Sequence, residues 1–282
     1  MNAQRHASAA AETDAAAAPG CHLEASRMPG HWLLARMGKR VLRPGGLELT
    51  RTLLDVLDIG PNDDVVEFAP GLGVTARLTL ERSPKTYTAV ERDDAAAAHV
   101  RKLLTGSGRE CILGSAESTG LSGEAATVVY GEAMLTMQTA EHKRRIVGEA
   151  VRLLKLGGRY GIHELALTPD TLCGDIKDAI SRELSERIHV GARPLTIGEW
   201  RGLLESQGLE ILDCRTGPMH LLEPARLIRD EGFFRALRFV FNVITHREAR
   251  RRVRAMRGIF RQYAAHMRGA AIVARKPKEE SP

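Results

Sequence analysis

Two acidic residues and two glycines stand where a nucleoside-containing ligand would need them. Val65, Val66 and Phe68 suit a short buried strand that carries Glu67 near its end. The strand runs into Gly71 and Gly73, and a helical pattern opens at about Val74. A glycine-rich turn from strand to helix lets backbone approach a ligand and presents free N–H groups. Glu91 comes eighteen residues after Gly73, at the end of a second apolar strand, Tyr87-Thr88-Ala89-Val90. A carboxylate there accepts hydrogen bonds from both hydroxyls of a ribose. The pattern points to a nucleoside-containing cofactor held in an α/β crevice.

The glycines alone leave the cofactor open. Gly71-Leu72-Gly73-Val74-Thr75-Ala76 also fits the dinucleotide pattern G-x-G-x-x-G/A, which would make the chain an NAD(P)-dependent oxidoreductase. Glu67 argues the other way. A negative charge before the glycines does nothing for a pyrophosphate but attracts the α-ammonium group of S-adenosylmethionine. Leu153-Leu154-Lys155-Leu156-Gly157-Gly158-Arg159-Tyr160 adds to this. It resembles the Leu-Lys-Pro-Gly-Gly-Arg turn before the fifth strand of class I S-adenosylmethionine-dependent methyltransferases, with Leu156 in place of Pro.

The resemblance runs through roughly residues 55–165. Glu67-Phe68-Ala69-Pro70-Gly71-Leu72-Gly73 is similar to the family's first motif, with Ala69 replacing its first glycine. Glu91 matches the ribose-binding acid. Gly114-Ser115-Ala116-Glu117 resembles the Gly-Asp-Ala-Glu turn beside the adenine, with Ser115 replacing Asp. Thr127–Tyr130 resembles the fourth strand and Gly131-Glu132-Ala133-Met134 the loop after it, with a weaker echo in Leu195–Trp200. The resemblance implies a cofactor site of Glu67, Ala69, Pro70, Gly71, Gly73, Thr75, Glu91, Arg92, Ser115, Ala116, Glu117 and Glu132. Arg43, in an Arg-Pro-Gly-Gly turn, could pair with the carboxylate of the cofactor's methionine end.

Methyl transfer from a sulfonium is an in-line displacement, which asks mainly for alignment and exclusion of water. A side-chain base is needed only for a nucleophile with a proton of high pKa. Glu132 and His163 are the catalytic candidates. His163 and Glu164 are candidates to reach the substrate, although neighbours in a strand point to opposite faces. Trp32 and Met37 could roof the pocket, and equally suit an ordinary core. No His, Cys, Asp and Glu cluster has metal-ligand spacing, so no metal is expected.

The 282 residues, 43% hydrophobic, suffice for one large domain or a domain with a cap. No apolar run approaches the ~20 residues of a membrane helix, so no membrane partner is expected. The four cysteines form no C-x-x-C pair and suit free thiols in a reducing cytoplasm. The net charge of +6 is concentrated late: residues 226–268 carry twelve arginines against three acids, a net of +9. This stretch reads either as solvated helix faces or as a surface for RNA, which makes an RNA methyltransferase the competing assignment. A small-molecule acceptor is favoured, because the flanking helical segments can close a pocket over the strand ends. A non-catalytic S-adenosylmethionine-binding module is the third alternative. Oligomeric state is not legible.

Positioning these residues requires alternating elements. Strands are expected near 64–68, 86–91, 110–113, 126–130 and 158–165, with helices near 74–82, 94–104 and 139–155. The result is a doubly wound, mostly parallel seven-stranded α/β sheet with its ligand at the strand ends. Residues 1–20 read as a disordered tail, 21–60 as a helical lead-in or lid, 61–217 as the Rossmann-like core, 218–268 as a helical cap insert and 269–282 as the last strand and tail. Within the insert, Thr245-His246-Arg247-Glu248 reads as a capping box. The Phe233, Phe234, Leu237, Val240, Phe241 and Ile244 series and the Val253–Met267 series each give one apolar face, and a mobile cap would bury both.

Overall fold

A computed structural model describes residues 24–278, so the expected tail at 1–20 and Cys21 lie outside the described residues. Seven strands run β1 (Asp64–Phe68), β2 (Thr86–Glu91), β3 (Arg109–Leu113), β4 (Ala126–Glu132), β5 (Leu154–Leu167), then β7 (Glu210–Pro218) and β8 (Met267–Arg275), with a two-residue β6 (Leu195–Thr196) beside β5. Their order across the sheet is β3-β2-β1-β4-β5-β8-β7. The first five pair in parallel, and β8 inserts antiparallel between β5 and β7. Because β1 has β2 on one side and β4 on the other, chain order reverses there. The crevice at the carboxyl end of β1 is the topological switch point.

Helices cover both faces, which is why all five residues of β1 are buried. One layer comprises α2 (Gly46–Leu57), α3 (Val74–Leu80) and α4 (Asp94–Arg101), whose Leu53, Leu57, Ala76 and Val100 pack on Val65, Tyr87 and Val128. The other comprises α5 (Ala140–Leu153) and α7 (Ile197–Glu205), with Ile146, Trp200 and Leu204 on Val66, Phe68 and Val129. Val65 and Val66 thus serve opposite faces, as a strand's two-residue period requires. Each buried leucine of α2 contributes about 1.5–3 kcal/mol of transfer free energy, fixing that helix against the sheet. A third core joins α1 (Gly30–Arg36), α6 (Gly174–Ile188) and the late helices α8 (Pro224–Glu231), α9 (Phe233–Thr245) and α10 (Arg247–Gln262).

Four expectations need correction. The lead-in expected over 21–60 is not one continuous helix: before α2, among the described residues, α1 covers only Gly30–Arg36, and Gly38 turns the chain at φ +105°. The Leu154–Gly158 stretch is not a separate turn but the start of β5. The register jumps from Ala126↔Leu154 to Val128↔Arg159, and Gly157, at φ +76°, forms the bulge. No capping box starts α10. His246 is its N-cap without a side-chain bond, and Thr245 instead ends α9 with its hydroxyl donating to Phe241 O at 2.9 Å. A capping box does form at α7, between Thr196 and Glu199. Finally, the two apolar series of the insert part company: Val253, Met256, Phe260 and Met267 are buried, whereas Phe233, Phe234, Leu237, Val240, Phe241 and Ile244 are exposed. Among the described residues no helix is long and apolar enough to cross a membrane.

Candidate functional site

The turn after β1 is held by its own backbone. Ala69 takes φ +52° where glycine would be unstrained, and its N–H donates to Val90 O at 2.9 Å. Gly71 N donates to Glu91 Oε2 at 3.0 Å, and Gly73 N to Pro70 O at 2.9 Å. The glycine amides expected to be free for a ligand are therefore committed inside the protein, so this turn does not offer them to a pyrophosphate. Glu91 Oε1 accepts from the N–H groups of Arg92 at 2.9 Å and Asp93 at 3.0 Å. Three backbone donors thus fix the carboxylate. Asp93 in turn caps α4 by accepting from Ala96 N at 2.9 Å.

Two further carboxylates end β1 and β4, in opposite electrostatic settings. Glu67 is enclosed between neighbouring strands, where its Oε2 accepts from the hydroxyls of Tyr87 and, at 2.6 Å, Tyr130. Burial pushes its pKa up to about 7, against these two hydrogen bonds. Burial also penalises Glu132, but the Arg43 guanidinium and His163 outweigh it and hold the carboxyl down to about 2. Arg43 bonds both Glu132 and Thr75, and Thr75 also donates to Glu132. Thr50 of α2 donates to Glu132 Oε1 at 2.7 Å.

The Arg43 turn is seated from two sides. His163 Nε2 donates to Pro44 O at 2.5 Å. Gly269 of β8 lies beneath, where an added Cβ would stand 2.8 Å from the Pro44 carbonyl. Cross-strand pairing of Glu132 with His163 brings His163 Nδ1 to 2.7 Å from Glu132 Oε1. Both ring nitrogens of this fully buried histidine thus have oxygen partners within the protein.

These groups open onto a cavity of about 610 Å³. Glu67, Ala69, Pro70, Gly71, Thr75 and Glu91 line it at the strand ends, with Arg43, Arg92 and Glu132 beside them. Ser115, Ala116 and Glu117 line it next to β3, where Ser115 Oγ accepts from Glu117 N at 3.2 Å and His142 Nδ1 lies 2.5 Å from Glu117 Oε1. Trp32 and Leu34 of α1, Met219 and Leu221 after β7, and Met256 and Phe260 of α10 form an apolar opposite side.

Four expected site residues do not line the cavity. Gly73 is the N-cap of α3, and Met37 is buried in the core beneath the late helices. His163 is turned to Glu132 and Pro44. Glu164, expected in substrate space, instead accepts from Met134 N, Leu135 N and Thr136 N at 2.9, 2.7 and 2.9 Å, holding the loop after β4. Burial raises its pKa, opposed by these bonds. Sequence reasoning had no means to assign Thr50, which reaches Glu132 only through helix packing. It also passed over His31, a cavity residue whose pKa burial and the Arg92 charge lower to about 4. Among the described residues no group of three or more His, Cys, Asp or Glu could hold a metal ion.

The arrangement suits S-adenosylmethionine. A buried carboxylate bonded to neutral hydroxyls suits a cation, a backbone-fixed carboxylate suits a diol, and the committed glycine amides disfavour a pyrophosphate. A methyltransferase-domain family model matches residues 66–162. The chain is 30% identical over 219 residues to an uncharacterized protein of Haemophilus influenzae, covering 76% of this chain and 85% of that one. In fold it is similar to the [4+2]-cyclase SpnF, with TM-score 0.65 and 17% identity over 87% of this chain and 93% of that one. It is also similar to phosphoethanolamine N-methyltransferase 2 of Haemonchus contortus in complex with S-adenosylmethionine. There the TM-score is 0.67 with 14% identity, over 88% of this chain and 57% of that one. With this sheet order, this matched domain and this relative, the chain belongs to the class I S-adenosylmethionine-dependent methyltransferases.

Proposed function

We propose that the enzyme methylates a small, largely apolar acceptor by aligning it against the cofactor rather than by side-chain acid–base chemistry. The observation that carries this reading is the two-sided cavity, with fixed carboxylates at the strand ends and Trp32, Leu34, Met219, Leu221, Met256 and Phe260 opposite. In this reading Glu91 clasps the ribose, Glu67 meets the α-ammonium group and Arg43 the methionine carboxylate. Ser115, Ala116 and Glu117 flank the adenine. Bound there, S-adenosylmethionine supplies a methyl group already activated by its sulfonium. The chain's own residues hold the acceptor in line and exclude water. Glu132 is held too acidic to serve as a base at neutral pH, and His163 is buried against Glu132 and Pro44 away from the cavity, so both act as positioning residues for Arg43. Residues 218–268 serve as a cap that contributes the acceptor side. The Haemonchus enzyme's named substrate supports a small-molecule acceptor.

The test is mass spectrometry of the enzyme incubated with S-adenosylmethionine and a panel of amphiphilic small molecules, with RNA as a separate arm. A methylated small molecule formed in step with S-adenosylhomocysteine is expected. Methylation of RNA alone would overturn the acceptor class. Conversion of an acceptor without cofactor turnover would point instead to chemistry like that named for the cyclase.

A further inference from the structure

The cap carries a surface that the fold of one chain does not use. Helix α9 presents Phe233, Phe234, Leu237, Val240, Phe241 and Ile244 along a single stripe of the helix, with Phe234 82% and Phe241 63% exposed. Its opposite face, Ala236, Phe239 and Val243, is buried in the core. Asn242 pins the helix by donating to Met37 O at 2.9 Å. The exposed stripe is thus a second apolar face on a helix already anchored, and a contiguous patch of this kind marks an interaction surface.

Charge identifies what fits it. Arg235 and Arg238 flank the stripe, and Arg247 and Arg254 are exposed on the helix after it; Arg229 and Arg251 are exposed as well but pair with Glu48 and Glu248, at 3.3 and 2.9 Å. The acids of the same segment are withdrawn or paired: Asp230 and Glu231 are buried, Glu223 bonds Arg257 and Arg261 at 2.9 and 2.7 Å, and Glu248 bonds Arg251. An isologous second copy would set arginine rim against arginine rim. An anionic bilayer accepts both features, taking the aromatic and aliphatic side chains into its headgroup boundary and the arginines against its phosphates. We propose that α9 is an interfacial helix that seats this enzyme on an anionic lipid surface. The helix lies on that surface rather than crossing it. This revises the expectation of no membrane partner, which rested only on the lack of a spanning segment. The face adjoins the cavity: Arg40, a cavity residue, and Arg235 both approach Glu231 Oε2, at 3.4 and 3.9 Å.

Vesicle flotation of the full chain tests this, using phosphatidylcholine vesicles with and without phosphatidylglycerol. The protein should float only with the anionic vesicles and detach as salt rises. The variant Phe234→Ser/Phe241→Ser should partition at least about tenfold less. Arg235→Ala/Arg238→Ala should lose about tenfold as well. Both pairs lie on the surface, and unchanged thermal melting would exclude misfolding as the cause. Absence of flotation, or flotation unaffected by the phenylalanine variant, would overturn the proposal. So would a dimer seen by light scattering that the phenylalanine variant dissolves, or RNA binding lost with the same variant.

Discussion

The two sides of the cavity are built differently. At the strand ends, every carboxylate is held by named donors: Glu91 by three backbone N–H groups, Glu67 by two tyrosine hydroxyls, Glu132 by Arg43, Thr75, Thr50 and His163. Opposite, the lining is methionine, leucine and aromatic carbon, which constrains shape but not direction. A cofactor common to many enzymes calls for a fixed floor, and the acceptor that distinguishes one enzyme from another calls for a wall that can be recut. Even within the floor the contrast holds: burial, chiefly, drives Glu67 up to about 7, while a charged partner drives Glu132 down to about 2.

The strongest challenge to this division is Glu132→Gln. It leaves Arg43 buried without its counter-charge, and removing one partner of a buried pair costs about 3–5 kcal/mol. Chemical denaturation should show that loss. A change under about 1 kcal/mol would mean that the cluster is not the floor's anchor.

Next, Glu91→Ala should weaken S-adenosylhomocysteine binding by about 1.5–3 kcal/mol, the scale of hydrogen bonds to a charged group. Equilibrium binding by fluorescence reads this directly. An unchanged Kd in a folded variant would show that Glu91 only braces the turn.

The third test is pH. Glu67 is raised from its ordinary 4.5 to about 7, so the folded unliganded chain holds a proton there that the unfolded chain releases. Glu67 therefore weakens stability progressively as pH rises from 4.5, with the penalty levelling off above about 7. Glu132 has the opposite sign: its contribution is present above 4.5 and is lost as pH falls toward about 2. Melting of wild type against Glu67→Gln should diverge across the window from 4.5 to about 7. Parallel curves there would show that Glu67 holds no extra proton in the folded chain.

The smallest effect belongs to the wall. Phe260→Leu should cost under about 1.5 kcal/mol of stability and leave the cofactor Kd unchanged, while shifting acceptor KM. Equal shifts in both constants would show that the two sides are not separable.

What was legible follows the same line. The β1 turn, Glu91 and the strand alternation stood out because local spacing encodes them. The Glu132–His163 contact did not, because it depends on the register of β4 against β5, which a single strand's sequence does not carry. Periodicity identified the apolar stripes of α9 and α10 equally well. It was silent on which one the chain covers, since that depends on tertiary packing. The false capping box at Thr245 had the right residue types, but the hydroxyl bonds back into α9. The position of Glu164 suits a substrate residue, but its donors come from the loop after β4, which the pairing of β4 with β5 brings beside it.

Isothermal titration calorimetry with S-adenosylhomocysteine, and separately with NADPH, asks whether the fixed floor is an adenosyl-methionine site. Saturable binding of S-adenosylhomocysteine and no heat from NADPH are expected. Tight NADPH binding with none of the adenosyl compound would contradict that assignment.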